Sequence, residues 1–342
     1  MNGFERIDSS LRGNKSDKVP IMLHNFMMAA KESNISMQEY RNSPKQIARC
    51  FIEAIEKYSY DGIVVDIDTA TLAGAVGVPI EFPENTPART KKGCLDRLAD
   101  IRELKTVDIQ NYRYVQNWLE ATSLLKDYFG DQIFIRGNCD QSPFSLAGLI
   151  RGMQSWMMDL LDPTKHDLAH ELLEHCTKIT TQFVDLMAET GAHGLSNGDS
   201  LAGPDMISPD MYKEFALPYQ KRVIDSAHQR GLPYILHICG NTNLILSDMI
   251  SSGADGLELD YKTDINLVHD KMKEKTTFLG NLDPSNVLAL GSIKLIEQKT
   301  SDLLGVFSDE PRFILNAGCA IPAETPSNNL KAMIKVAREY KI

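Results

Sequence analysis

Pro233–Gly240, PYILHICG, reads as a short buried strand that ends in chemistry. Tyr234, Ile235 and Leu236 form an apolar run, and His237 and Cys239 follow it two residues apart. Side chains alternate across a strand, so positions i and i+2 point the same way. An imidazole and a thiol are thereby presented together, as two ligands of one zinc ion require. A lone His-x-Cys is also what a buried histidine beside an inert buried cysteine looks like. The rest of the chain has to separate the two readings, and the candidate third donor is Cys319 in Asn316–Ala320, NAGCA.

Outward from this strand the same rhythm recurs. Pro20–His24, Asp61–Asp68, Gln132–Arg136 and Gly191–Leu195 read as strands before it, and Gly256–Asp260, Thr277–Gly280 and Arg312–Asn316 as strands after it. Helical spacing separates them, as in Pro44–Tyr58 through Ile47, Phe51, Ile55 and Tyr58. The stretch Asp96–Tyr128 is expected to be mostly helix. Leu146 to Glu189 is expected as two or three helices broken near Asp162–Pro163. A further helix starts at Ser208–Pro209, where a serine cap precedes a proline at the first helical position. Polar loops are expected at Gly137–Pro143 and Asn197–Gly203. Eight short apolar strands alternating with helices, with no break in composition, predict an α/β fold. The expectation is a single (β/α)8 TIM barrel over residues 1–342, with a polar N-terminal extension. An open doubly wound sheet competes, but no GxGxxG follows the first strand and no phosphate loop occurs.

Composition narrows the partners. The chain has 342 residues, 43% hydrophobic and 24% charged, with a formal net charge of −10. That balance suits a globular protein with a sizeable core and argues against nucleic acid or an anionic membrane surface as partner. No apolar run is long enough to span a bilayer, and the N-terminus lacks the apolar core of a signal peptide. The simplest expectation is a cytoplasmic protein. Its 6 cysteines show no paired framework, so their uses are burial, catalysis or metal binding.

Barrel active sites sit at the C-terminal ends of the strands. The residues expected there are His24, Asp66, Asp68, Asn138, Cys139, Asp140, Asn197, Asp199, His237, Cys239, Glu258, Asp260, Asn281, Asp283 and Cys319. Both thiols of interest thus fall on one rim. For Asp66 and Asp68 the competing role is capping of the next turn. For Glu258 and Asp260 it is pairing with a lysine or arginine inside the barrel.

Several segments, QSPFSLAGLIRG (141–152), GAHGLSNGDSLAG (191–203), ISPDMYKEFALPYQKRVIDSAH (207–228), GADGLELD (253–260) and GNLDP (280–284), make the chain resemble the uroporphyrinogen decarboxylase superfamily. Within it, the chain is similar to the zinc methyltransferases of the methylcobamide:coenzyme M type. The decarboxylases carry an arginine-rich grip near the first strand, whereas LHNFMMAAKE (Leu23–Glu32) has no arginine. The methyltransferases carry His-x-Cys and a much later third cysteine, which His237, Cys239 and Cys319 match.

The resemblance implies a zinc ion on His237, Cys239 and Cys319. Asp260 is the candidate fourth ligand, with Glu258 or water as alternatives. It also implies a methylcorrinoid delivered by a partner protein, a small methyl donor or thiol acceptor, and a pocket shaped by His24, Asp66, Asp68, Asn138, Gln141, Asn197 and Asp199. The direction of transfer stays open, including demethylation of a donor onto the corrinoid. A metal-free lyase of the decarboxylase type, or a binding protein with purely structural zinc, are the competing classes. Asp225–Gly231, DSAHQRG, is one residue too long for the corrinoid-binding Asp-x-His-x-x-Gly and reads as a solvated helix end. A homodimer is compatible with the sequence, which does not itself specify an oligomeric state.

Overall fold

The computed structural model describes residues 1–104 and 107–341. Eight strands pair in chain order: β1 (Met22–Leu23), β2 (Gly62–Val65), β3 (Phe134–Gln141), β4 (Gly194–Gly198), β5 (Tyr234–Ile238), β6 (Gly256–Leu259), β7 (Thr277–Leu282) and β8 (Phe313–Ala317). All the pairings between them are parallel. A parallel bridge between Ile21 and Leu315, with the Leu315 N–H donating to the Pro20 carbonyl at 2.9 Å, brings the last strand back to the first. The result is the expected α/β barrel. Helices cover it, for example Pro44–Tyr58, which buries Ile47, Phe51, Ile55 and Tyr58 and is capped by Ser43.

The period of two along each strand organises the barrel interior. Met22, Val64, Phe134, Ile235, Leu279 and Ile314 meet in one apolar floor. Two residues further along β1, β2, β3, β5 and β8 stand His24, Asp66, Arg136, His237 and Asn316. The same step that stacks hydrophobes at the bottom therefore stacks polar groups above them, at the C-terminal side. The floor is closed from below by helix α1 (Gly3–Leu11), whose Ile7 and Leu11 pack into it. The N-terminal segment was expected as a polar extension, and it is instead an amphipathic plug.

Four other expectations change. Strand β3 runs through Asn138 to Gln141, where a loop was expected. A register shift against β4 between Asn138 and Gln141, with Asp140 at φ 58°, lets this polar stretch stay in the sheet as a bulge. Asn197 likewise lies inside β4. Between 96 and 128 the helix begins only at Arg113, after short 3₁₀ turns at Leu98–Glu103 and Ile109–Asn111. The Asp108 carboxylate accepts from the Gln110 N–H and holds a local turn in competition with the helix. Lys105 and Thr106 lie outside the described residues. The helix capped by Ser208 is broken by a π turn at Tyr212–Ala216, just before Pro218, which has no N–H to continue the ladder.

Candidate metal centre

His237 ends β5 and Cys239 follows it on the same face, while Cys319 comes from the loop after β8. Their donor atoms all lie within 4.8 Å of one another. His237 Nε2 is 3.1 Å from Cys239 Sγ, and the two sulfurs are 3.9 Å apart. Two sulfurs bound to one zinc at about 2.3 Å, in a tetrahedron, stand about 3.8 Å apart, so this donor set fits that ion. The other ring nitrogen is fixed: His237 Nδ1–H donates to the Glu258 carbonyl at 2.9 Å, which leaves Nε2 facing the thiols. Among the described residues no fourth His, Cys, Asp or Glu joins the group.

Electrostatics favour thiolate here even before a metal is considered. The hydrogen bond from the Cys319 thiol, with the His237 imidazole beside it, draws Cys239 well below the ordinary thiol range, against the effect of burial. Cys319 is pushed up in turn, because it keeps the proton that the pair shares. Burial alone would lower His237, but the Cys239 thiolate and Glu258 carry it up to about 10. Ser200 Oγ adds a contact to Cys239 Sγ at 3.2 Å.

A second set of charges braces this centre. Arg136 crosses the barrel interior to pair with Glu258, and both are buried. Burial pushes Glu258 up, yet Arg136, His24 and His237 together hold its carboxyl well below the usual range. His24 Nε2 meets Asp66 Oδ2 at 2.6 Å. Desolvation opposes charge on His24, but Asp66 and Glu258 outweigh it and raise the imidazole to about 9.

The trio opens on a cavity of about 250 Å³. Of the residues expected to shape a pocket, His24, Asp66, Asp68, Asn138, Gln141 and Asn197 line it. Asp199 does not. Its carboxylate is fully buried and accepts from Ser145 N and Oγ and from Gln220 Nε2, so it ties β4 to two neighbouring helices. Asp260, expected as a fourth ligand, is also spent elsewhere: its oxygens accept from the Gly240 N–H at 3.0 Å and the Lys262 N–H at 3.1 Å. It holds together the loops after β5 and β6. Glu258 keeps the alternative role foreseen for it, an interior carboxylate paired with arginine. Asp68 does both jobs named for it, because its Oδ1 caps the turn at Ala70 and Thr71 while the residue lines the cavity.

Sequence reading missed Arg136 and Ser200. An arginine ending the apolar run QIFIR was the one available signal for the first. Asp140, expected at the strand ends, lines the cavity from the β3 bulge. In the segment that looked like a distorted corrinoid motif, His228 lies in the last turn of the helix Leu217–Gln229 and pairs with Asp255 at 2.8 Å.

Comparison with known proteins gives this geometry a context. Methylcobamide:CoM methyltransferase MtbA of Methanosarcina acetivorans is 32% identical over 250 residues, 73% of this chain and 71% of that protein. The Methanosarcina mazei protein of the same name is 27% identical over 341 residues, 98% of each chain. A uroporphyrinogen decarboxylase of Prochlorococcus marinus is 26% identical over 317 residues, 89% of this chain and 87% of that one. In fold, the chain matches a solved methyltransferase from Methanosarcina mazei with a TM-score of 0.90, 23% identity and 99% of both chains covered. The family model described as uroporphyrinogen decarboxylase (URO-D) matches residues 3–340, and the chain belongs to that family.

Proposed function

We propose that this protein transfers a methyl group between a corrinoid carried by a partner protein and the sulfur of a small thiol, using zinc held by His237, Cys239 and Cys319. The observation that carries this reading is a soft three-donor cluster that faces a cavity, with no fourth protein ligand among the described residues. A structural zinc site is closed by four protein ligands, whereas a catalytic one keeps a position for substrate. Relatives named methylcobamide:CoM methyltransferases support the same reading. Bound there, zinc would hold an incoming thiol deprotonated, where the free thiol is only a few per cent ionised at neutral pH.

The chain's own groups do the rest. The Glu258 carbonyl orients His237, and Arg136 keeps the Glu258 carboxylate from being an unpaired buried charge. Phe26, Met27, Pro87 and Ala320 supply apolar wall that excludes water from the sulfur. The thiol proton leaves to solvent, a sulfur–carbon bond forms, and the methyl–cobalt bond of the substrate corrinoid breaks with its electron pair remaining on cobalt.

The lyase alternative is disfavoured by charge. A polycarboxylate would meet Asp66, Asp68, Asp140 and Glu258 in the cavity, and the one arginine lining it among the described residues is occupied by Glu258. The test is a pair of measurements on wild type and Cys239→Ala. Wild type should purify with about one zinc per chain and demethylate methylcobalamin with a thiol, and the variant should lose both. Full transfer by the variant without zinc would falsify the proposal.

A further inference from the structure

The ionisable groups around the cavity can be matched in pairs. Asp66 meets His24, Glu258 meets Arg136, and Cys239 meets His237. Asp68 and Asp140, at the ends of β2 and β3, are left over, in a sector of the rim away from the thiols of the β5 and β8 ends. Both are buried to 1% exposure and line the cavity. Each spends one oxygen on backbone: Asp68 Oδ1 accepts from Ala70 and Thr71, and Asp140 Oδ2 accepts from the Leu72 N–H at 2.6 Å. Asp68 Oδ2 and Asp140 Oδ1 meet no hydrogen-bond donor of good geometry among the described residues, although the Gln141 side chain lies near enough to Asp140 to pull its carboxyl down somewhat. Arg41 lies behind Asp68, but its two terminal nitrogens donate to the Pro83 and Thr86 carbonyls, and it offsets at most one of the two carboxylates. A buried polar atom without a partner is costly, and two at one wall of a substrate cavity call for a donor-bearing group to meet them. The carboxylates do not form a cluster of three metal donors, so a polyatomic group is a better occupant than an ion.

Resting on the methyl-transfer reading, we infer that the substrate carries an ammonium or other positively charged donor group at the end remote from its sulfur, received by Asp68 and Asp140. An anionic tail offers these oxygens no donor and is disfavoured beside two buried carboxyls. Burial, with repulsion from Asp66, raises Asp68 to about 6, and burial, with repulsion from Asp68 and Asp66, raises Asp140 as well; a cation arriving at this wall relieves both.

The test uses the zinc-loaded protein and three thiols of matched length: 2-aminoethanethiol, 2-mercaptoethanol and 2-mercaptoethanesulfonate. Binding is followed by calorimetry and methyl transfer by the spectrum of methylcobalamin in the same samples. The aminothiol should bind at least about ten-fold more tightly than the sulfonate, and Asp68→Asn and Asp140→Asn should each reduce that ratio several-fold. Both variants retain an oxygen for the backbone hydrogen bonds described above, and a ratio is insensitive to a general loss of affinity. A sulfonate that binds as well as the aminothiol, or a ratio unchanged in both variants, overturns the inference. The expected ranking with no methyl transfer from methylcobalamin would overturn the reaction and leave the charge preference standing. Absence of binding by all three thiols would overturn both.

Discussion

Asp199 and Arg136 show how differently two buried charges can serve one site. Burial lifts the Asp199 carboxyl from 3.8 to about 6, although Gln220 and Ser145 donate to it. The folded protein therefore binds a proton on Asp199 over a range where the unfolded chain has lost it, and stability falls as pH rises through that range. We expect the urea midpoint of wild type, measured relative to Asp199→Asn, to decline from about pH 4 to about pH 6 and then level off. A flat difference across that window would remove the assignment. Arg136 neutralises Glu258 deep in the barrel, and truncating one member of such a pair strands the other. Arg136→Ala should cost about 3–5 kcal/mol in denaturant unfolding, and replacing both residues by apolar ones should recover much of it. A loss below about 1 kcal/mol would mean that Glu258 is solvated or protonated in the folded state.

At the scale of elements, strands deliver the site and helix α1 closes the opposite end. The step of two residues along β1, β2, β3 and β5 converts the apolar floor into the layer of His24, Asp66, Arg136 and His237. That alternation was readable in PYILHICG, because Ile235, His237 and Cys239 share one parity. The role of α1 was not, since nothing in MNGFERIDSSL states which surface Ile7 and Leu11 will meet. Ile7 is fully buried against the floor, so Ile7→Ala should lower unfolding free energy by roughly 2–5 kcal/mol. The variant should still carry zinc, because the plug and the metal centre lie at opposite ends of the strands. Parallel loss of zinc and stability in this variant would show that floor and rim are coupled.

For the whole molecule, the proposed zinc sits on a scaffold whose core is complete without it. Neither the floor cluster nor the larger apolar shell between strands and helices includes His237, Cys239 or Cys319. Chelation should therefore abolish methyl transfer while the far-UV circular dichroism persists, and added zinc should restore transfer. This contrasts with small zinc domains, which unfold without metal. Collapse of the spectrum on chelation would instead favour a structural ion. Among the described residues, no helix is long and apolar enough to cross a membrane. Local pattern was enough to place eight strands, their polar ends and the three soft donors, because alternation and helical spacing are properties of neighbouring residues. It could not assign Asp260 and Asp199 to loop bracing, keep Asn138–Gln141 in the sheet as a bulge, or set Arg136 against Glu258. Each of those depends on which backbone amides and charges the closed barrel brings within reach, and that juxtaposition exists only once distant strands have met.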